Sequence, residues 1–159
     1  MRILEHGQGQ ERTLLFFPCT AEPVWAFEAT IALLAQRWHV FQVVFDGHQP
    51  EFPGDFTSVE QTVDEVTEYL KSHGVDRLDA AYGCSLGGAC LTYSARTIRN
   101  VFWSGNNYAL PETPAASDTK VAYWYGEDEA KDRRGNIRFI RRYLPQIRFH
   151  AFPKMAHAE

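Results

Sequence analysis

A glycine-punctuated turn, Gly83-Cys84-Ser85-Leu86-Gly87, constrains this chain more than any other stretch. It joins a short apolar run, Leu78 to Gly83, to a small-residue run that opens just after Ser85. The G-x-S-x-G spacing suits a strand that turns abruptly into a helix. The serine takes a strained backbone position, and glycine on either side lets strand and helix approach closely. Such a turn exposes the Ser85 hydroxyl. It also aims the Leu86 N–H, at a helix start, toward negative charge developing beside it. A chance match in a chain of this length is on the order of one in twenty, so the surrounding pattern has to carry the argument.

That pattern alternates. Ile3 and Leu4 open a short first strand, followed by the turn Gly7-Gln8-Gly9. Thr13 to Phe17 is a continuous apolar run, as expected of a strand buried on both faces, and it ends at Pro18-Cys19-Thr20. Val24, Phe27, Ile31, Leu34 and Trp38 recur at helical spacing. Val40 to Phe45 predicts a second buried strand, ended by Asp46-Gly47-His48. Ser58-Val59-Glu60-Gln61 reads as a capping box ahead of the stripe Val59, Val63, Val66 and Leu70, which Gly74 closes. After the Leu78–Gly83 strand and the Leu86–Arg96 helix, strands are expected at Ile98–Trp103, Val121–Tyr125 and Ile147–Phe152. Ile137, Ile140 and Leu144 mark a last helix stopped by Pro145.

Strand and helix alternating in this way predict an α/β fold. We expect a mostly parallel sheet of about six to seven strands, with helices on both faces, in a single domain spanning residues 1–159. In such sheets function gathers at the carboxyl ends of the strands. Ser85, the acids Glu127-Asp128-Glu129 and His157 all follow strands, in that order. Those types belong together chemically. A serine hydroxyl is a poor nucleophile until an imidazole takes its proton, and a carboxylate fixes the imidazole tautomer and steadies its charge. His48 also follows a strand, as a rival to His157, and Cys84 neighbours the serine but is expected to pack sideways.

From Thr13 to His157 the chain resembles the α/β-hydrolase-fold serine hydrolases, on four elements. These are the turn Gly83–Gly88, Asp46-Gly47-His48, the strand with Gly126-Glu127-Asp128-Glu129, and the terminal Met155-Ala156-His157. The resemblance implies that the Thr13–Phe17 and Leu78–Gly83 strands lie side by side, with Val40–Phe45 outside the former. It implies Ser85 as nucleophile, His157 as base, and Glu129 favoured over Asp128 as the acid. The oxyanion donors would be the N–H groups of Leu86 and Thr20, with Cys19 as the fallback, although Pro18-Cys19 stands where the family often has His-Gly. It implies hydrolysis of small-molecule esters or thioesters with no cofactor. Acyl transfer by the same residues and a catalytically silent binding module are the other readings.

Two departures from the family qualify the resemblance. Residues Ser104 to Thr119 are too few for a helical cap, which implies an open site walled by Trp103, Asn106, Asn107 and Tyr108. The family's helix after the histidine has no counterpart in these residues, which would leave a surface bare, and on the resemblance we expect a homodimer to cover it. Composition narrows the class further. A net charge of -4 with scattered basic residues argues against nucleic acid. The densest basic cluster, Arg133 to Arg142, reads as a solvated helix face. No apolar stretch is long enough to span a membrane, and Met1 to Arg12 is too polar for a signal peptide. Three cysteines without a CxxC spacing suggest reduced thiols in a cytoplasmic protein, and the histidine spacing predicts no metal.

Overall fold

The computed structural model describes residues 1–94, 120–143 and 147–157. Six strands lie in these segments: β1 (Arg2–His6), β2 (Thr13–Phe17), β3 (His39–Val44), β4 (Ala80–Gly83), β5 (Ala122–Gly126) and β6 (Arg148–Phe152). The helices are α1 (Glu28–Leu34), α2 (Val59–Ser72), α3 (Leu86–Ser94) and α4 (Ala130–Tyr143). The first four strands form one sheet in the order β1-β3-β2-β4. β2 runs parallel to both β3 and β4, with Leu15 opposite Phe41 on one side and Ala81 on the other. β5 and β6 form a parallel pair of their own.

The expectation of one mostly parallel sheet of six to seven strands is therefore corrected for the described residues. They hold a four-stranded mixed sheet and a two-stranded one. β1 is antiparallel to β3, Arg2 facing Val44 and His6 facing Val40. Six residues, 7–12, join β1 to β2, and strand direction is a property of pairing that apolar patterning does not encode. The strand expected at 98–103 lies outside the described residues.

Alternation along β2 explains the layering. Leu15 and Phe17 point to one face, where Phe41, Val43 and Phe45 meet the α2 stripe Val59, Val63, Val66 and Leu70 and α3 residues Ala89 to Leu91. Leu14 and Phe16 point to the other, against Ile31, Val40 and Ala80, with Phe27 and Leu34 alongside. A side-chain period of two thus gives one strand two cores, and helices cover both faces. Val121, Tyr123 and Ile147 join the first cluster, so the β5–β6 pair shares that core. Its other side is open: Trp124 is 51% exposed and Phe152 39%, their rings edge-on at 6.0 Å.

Half of the expected capping box forms. The Ser58 hydroxyl accepts from the Gln61 N–H at 3.1 Å, but the Gln61 side chain turns forward to donate to Glu65 at 2.9 Å. An i,i+4 acceptor on the same helix face competes with the reach back to the cap.

Away from the strand ends, Glu5 ties β1 to β3 and α2. Its carboxylate accepts from the Tyr69 hydroxyl at 2.6 Å and meets His39 Nε2 at 2.7 Å. The Tyr69 hydrogen bond draws the Glu5 carboxyl below its usual range; burial opposes this, and His39 adds to it. The Tyr69 phenol moves the opposite way, to about 12. Because the folded-state pKa of Glu5 is lowered, its stabilisation is full above the unfolded value of 4.5 and fades as pH falls through the folded value. We expect Glu5→Ala to cost about 1.5–3 kcal/mol at pH 7, the scale of hydrogen bonds to a charged group. Urea denaturation of both chains across pH should show the gap narrowing well below pH 4.5. A gap independent of pH would assign the loss to packing alone.

Candidate active site

The serine turn is built by backbone contact. Ser85 has φ of 52°, left-handed for a residue with a side chain, so the strain the motif predicted is present. A Cβ on Gly83 would collide with the Gly87 carbonyl, and one on Gly87 would press on the carbonyls of Phe17 and Pro18. The Cys84 N–H donates to the Phe17 carbonyl at 3.3 Å. The two glycines therefore let the end of β4, the start of α3 and the end of β2 meet at one point. Leu86 is the first residue of α3, and first-turn N–H groups have no acceptor within their own helix.

His157 reaches this point from the other strand pair. Its Nε2 lies 3.1 Å from Ser85 Oγ, and its Nδ1 lies 2.9 Å from Glu129 Oε2. Glu129 stands in the 3₁₀ turn Glu127–Glu129 that follows β5, and its other oxygen accepts from the Gly126 N–H at 3.3 Å. The 155–157 loop is seated on the same turn. The Asp128 N–H donates to the Met155 carbonyl at 3.2 Å, and a Cβ on Gly126 would overlap the carbonyls of Met155 and Ala156. Of the competing acids, Glu129 is thus the one whose carboxylate meets the histidine, while Asp128 holds the histidine loop through its backbone.

Arg133, one turn along α4, was missed in the sequence, where it belonged to a basic cluster read as a solvated face. Its side chain is only 15% exposed, and its Nε donates to Glu129 Oε2 at 2.8 Å. The i,i+4 spacing from Glu129 was the available signal. Arg134, Arg138 and Arg141 on the same helix are exposed, as expected. Burial pushes the Glu129 carboxyl up, but hydrogen bonds from Arg133 and His157 outweigh it and hold the group below the usual carboxylate range. Arg133 Nη2 also lies 2.8 Å from His157 Nδ1. Nδ1 cannot serve both neighbours in one tautomer. Carrying the proton, it donates to Glu129 and leaves the Nε2 lone pair facing Ser85; lacking it, it accepts from Arg133 and Nε2 becomes a donor. Only the first arrangement can draw a proton from Ser85.

The rivals lie elsewhere. His48 Nδ1 accepts from the Ala21 N–H at 3.3 Å, its ring beside Phe45 and Phe56. Cys84 pairs sideways with Cys19 and Tyr82. A hydrogen bond from Cys19 pulls the Cys84 thiol down against its burial, while the same bond and burial push Cys19 up. None of the three cysteines is in a disulfide. Cys19 is buried and Thr20 exposed, on the turn that follows β2 beside the serine. Trp103, Asn106, Asn107 and Tyr108 lie outside the described residues. Among those described, no His, Cys, Asp and Glu side chains cluster as a metal site would, and no helix is long and apolar enough to cross a membrane.

Gly126 has an ordinary φ of -75°, so its glycine requirement is steric rather than conformational. We expect Gly126→Ala to push the 155–157 loop outward and lower Ser85 reactivity by about 10²-fold, the scale of a 1 Å misplacement. The rate of labelling by a fluorophosphonate, read beside the melting temperature, checks this. Labelling at the native rate would show that the close approach is dispensable.

No protein-family profile and no curated protein sequence matches the chain. Solved structures do. A protein assigned to the α/β-hydrolase family from Desulfitobacterium hafniense superposes with a TM-score of 0.84 at 15% identity, covering 99% of this chain and 93% of that one. An esterase from a marine microorganism gives 0.78 at 10% identity, covering 98% and 92%. A structure from a study of carboxylesterases of the thaumarchaeon Nitrososphaera gargenis gives 0.76 at 11% identity, covering 98% and 86%. Topology, the strained serine turn and these likenesses agree: the chain has the α/β-hydrolase fold.

Proposed function

We propose that this chain is a serine hydrolase that cleaves carboxylic esters or thioesters through an acyl-enzyme on Ser85. The observation that carries the reading is the relay of contacts from Ser85 Oγ to His157 Nε2 at 3.1 Å and from His157 Nδ1 to Glu129 at 2.9 Å. In the productive tautomer His157 takes the Ser85 proton as Oγ attacks the carbonyl carbon. The Glu129 carboxylate, held ionised by Arg133, steadies the imidazolium. The Leu86 N–H and that of Thr20, with Cys19 as the alternative, receive the oxyanion. Collapse of the tetrahedral intermediate breaks the bond to the alcohol or thiol, which leaves with the proton from His157. Water, deprotonated by the same imidazole, then attacks the acyl-enzyme and frees the acid and Ser85.

No cofactor takes part in these steps. The likeness to proteins named esterase and carboxylesterase supports an ester-type substrate. The side chain of His157 is 43% exposed, which supports an open site that accepts small or extended acyl groups.

Intact-mass analysis after fluorophosphonate exposure tests the reading. The native chain should gain one adduct. Ser85→Ala should gain none, and His157→Ala should react about 10³-fold more slowly, within the range of a lost general base. Glu129→Gln should slow the reaction by about 10²-fold or more, whereas Asp128→Asn should leave it roughly unchanged. A folded native chain that takes no adduct would remove the hydrolase reading.

A further inference from the structure

The turn assigned above to the second oxyanion donor has little to hold it from within. Between the end of β2 at Phe17 and the 3₁₀ turn Val24–Phe27 it forms no regular structure. Ala21 sits at φ of 55°, a conformation that costs an ordinary residue about 1–2 kcal/mol. The internal contact from the Glu22 N–H to the Cys19 carbonyl is long, at 3.5 Å.

Two consecutive side chains from the loop after β3 hold it from outside. His48 Nδ1 accepts from the Ala21 N–H at 3.3 Å. Gln49 Oε1 accepts from the Val24 N–H at 3.1 Å, and its Nε2 donates to the Glu22 carbonyl at 3.1 Å. Gln49 is 8% exposed, and both ends of its amide are used on this one turn. A buried amide in that position fixes the backbone it touches, because leaving either end unpaired would cost about 1–3 kcal/mol. The anchoring loop is itself restrained. The Phe52 N–H donates to the Gln49 carbonyl at 3.0 Å, and the His48 ring lies 5.3 Å from the rings of both Phe45 and Phe56. Burial among these rings lowers the His48 pKa, which favours the neutral ring that can accept from Ala21.

We propose that His48 and Gln49 form a splint that sets the Cys19-Thr20 backbone for oxyanion binding. They are positioning residues: neither touches Ser85 or His157 in the structure, and each acts through the turn it holds. The inference rests on the acyl-enzyme reading above and adds to it what aligns the second donor. An oxyanion donor is effective only at hydrogen-bond distance from where the charge develops. Loss of the splint should therefore weaken transition-state stabilisation more than substrate binding.

The experiment compares the native chain with Gln49→Met, His48→Leu and His48→Asn. Three quantities are read: amide hydrogen exchange across residues 18–24, the rate of Ser85 labelling by a fluorophosphonate, and kcat and KM on p-nitrophenyl acetate. Gln49→Met and His48→Leu should speed exchange at Ala21 and Val24. They should slow labelling and kcat by about 10- to 100-fold, as expected of a donor displaced by up to 1 Å, while KM stays roughly constant. His48→Asn, whose Oδ1 can accept where Nδ1 did, should recover most of both. Unchanged exchange would overturn the splint. Faster exchange with native labelling would overturn its role in oxyanion binding, as would losses that follow melting temperature without rescue by His48→Asn. A native chain that does not label would remove the acyl-enzyme reading and this catalytic role with it, while exchange still reports whether the splint exists.

Discussion

Close backbone contact at the serine turn is the constraint on which the rest of the site depends. Gly83 and Gly87 remove the two Cβ atoms that would otherwise separate β4, α3 and the end of β2. The strain at Ser85 persists because the parallel pairing of β2 with β4 and the packing of α3 against α2 over-determine it. The same contact brings the turn after β2 beside the serine, so nucleophile and proposed oxyanion donors are products of one packing event.

A second close approach supplies the other half. Gly126 lets the Met155-Ala156 backbone lie on the turn after β5, which sets His157 over both Ser85 and Glu129. Arg133 then adds a charge that cuts two ways. It keeps Glu129 ionised, and it stands close enough to His157 Nδ1 to compete for that nitrogen. The productive tautomer depends on Glu129 prevailing, and the carboxylate is the stronger partner because it can accept a charge-assisted bond when the ring is protonated.

Much of this was legible before the structure. Thr13–Phe17 read as a doubly buried strand because Leu14 to Phe17 are apolar without a break, and those four residues feed two cores. The serine turn was legible because glycine spacing is a steric requirement that sequence displays directly. Arg133 was not. Within a run of arginines, only the i,i+4 relation to Glu129 marks it, and a surface ion pair looks the same on paper. The His48-Gln49 splint was invisible for a different reason. His48 stood out only as a possible base, and nothing local to Gln49 announces that its amide closes on backbone some 25 residues away.

What the sequence by itself determined is therefore local: which runs form strands and helices, where the serine turn must lie, and which residue types could do acyl chemistry. Patterning and glycine sterics act over a few residues and leave their mark there. The tertiary structure alone decided the rest. It paired β1 antiparallel, brought Glu129 rather than Asp128 to His157, and turned His48 and Gln49 toward the loop after β2. Those choices are settled by distances between segments remote in the chain, where neighbouring positions such as Asp128 and Glu129 differ only in which way the folded backbone points them.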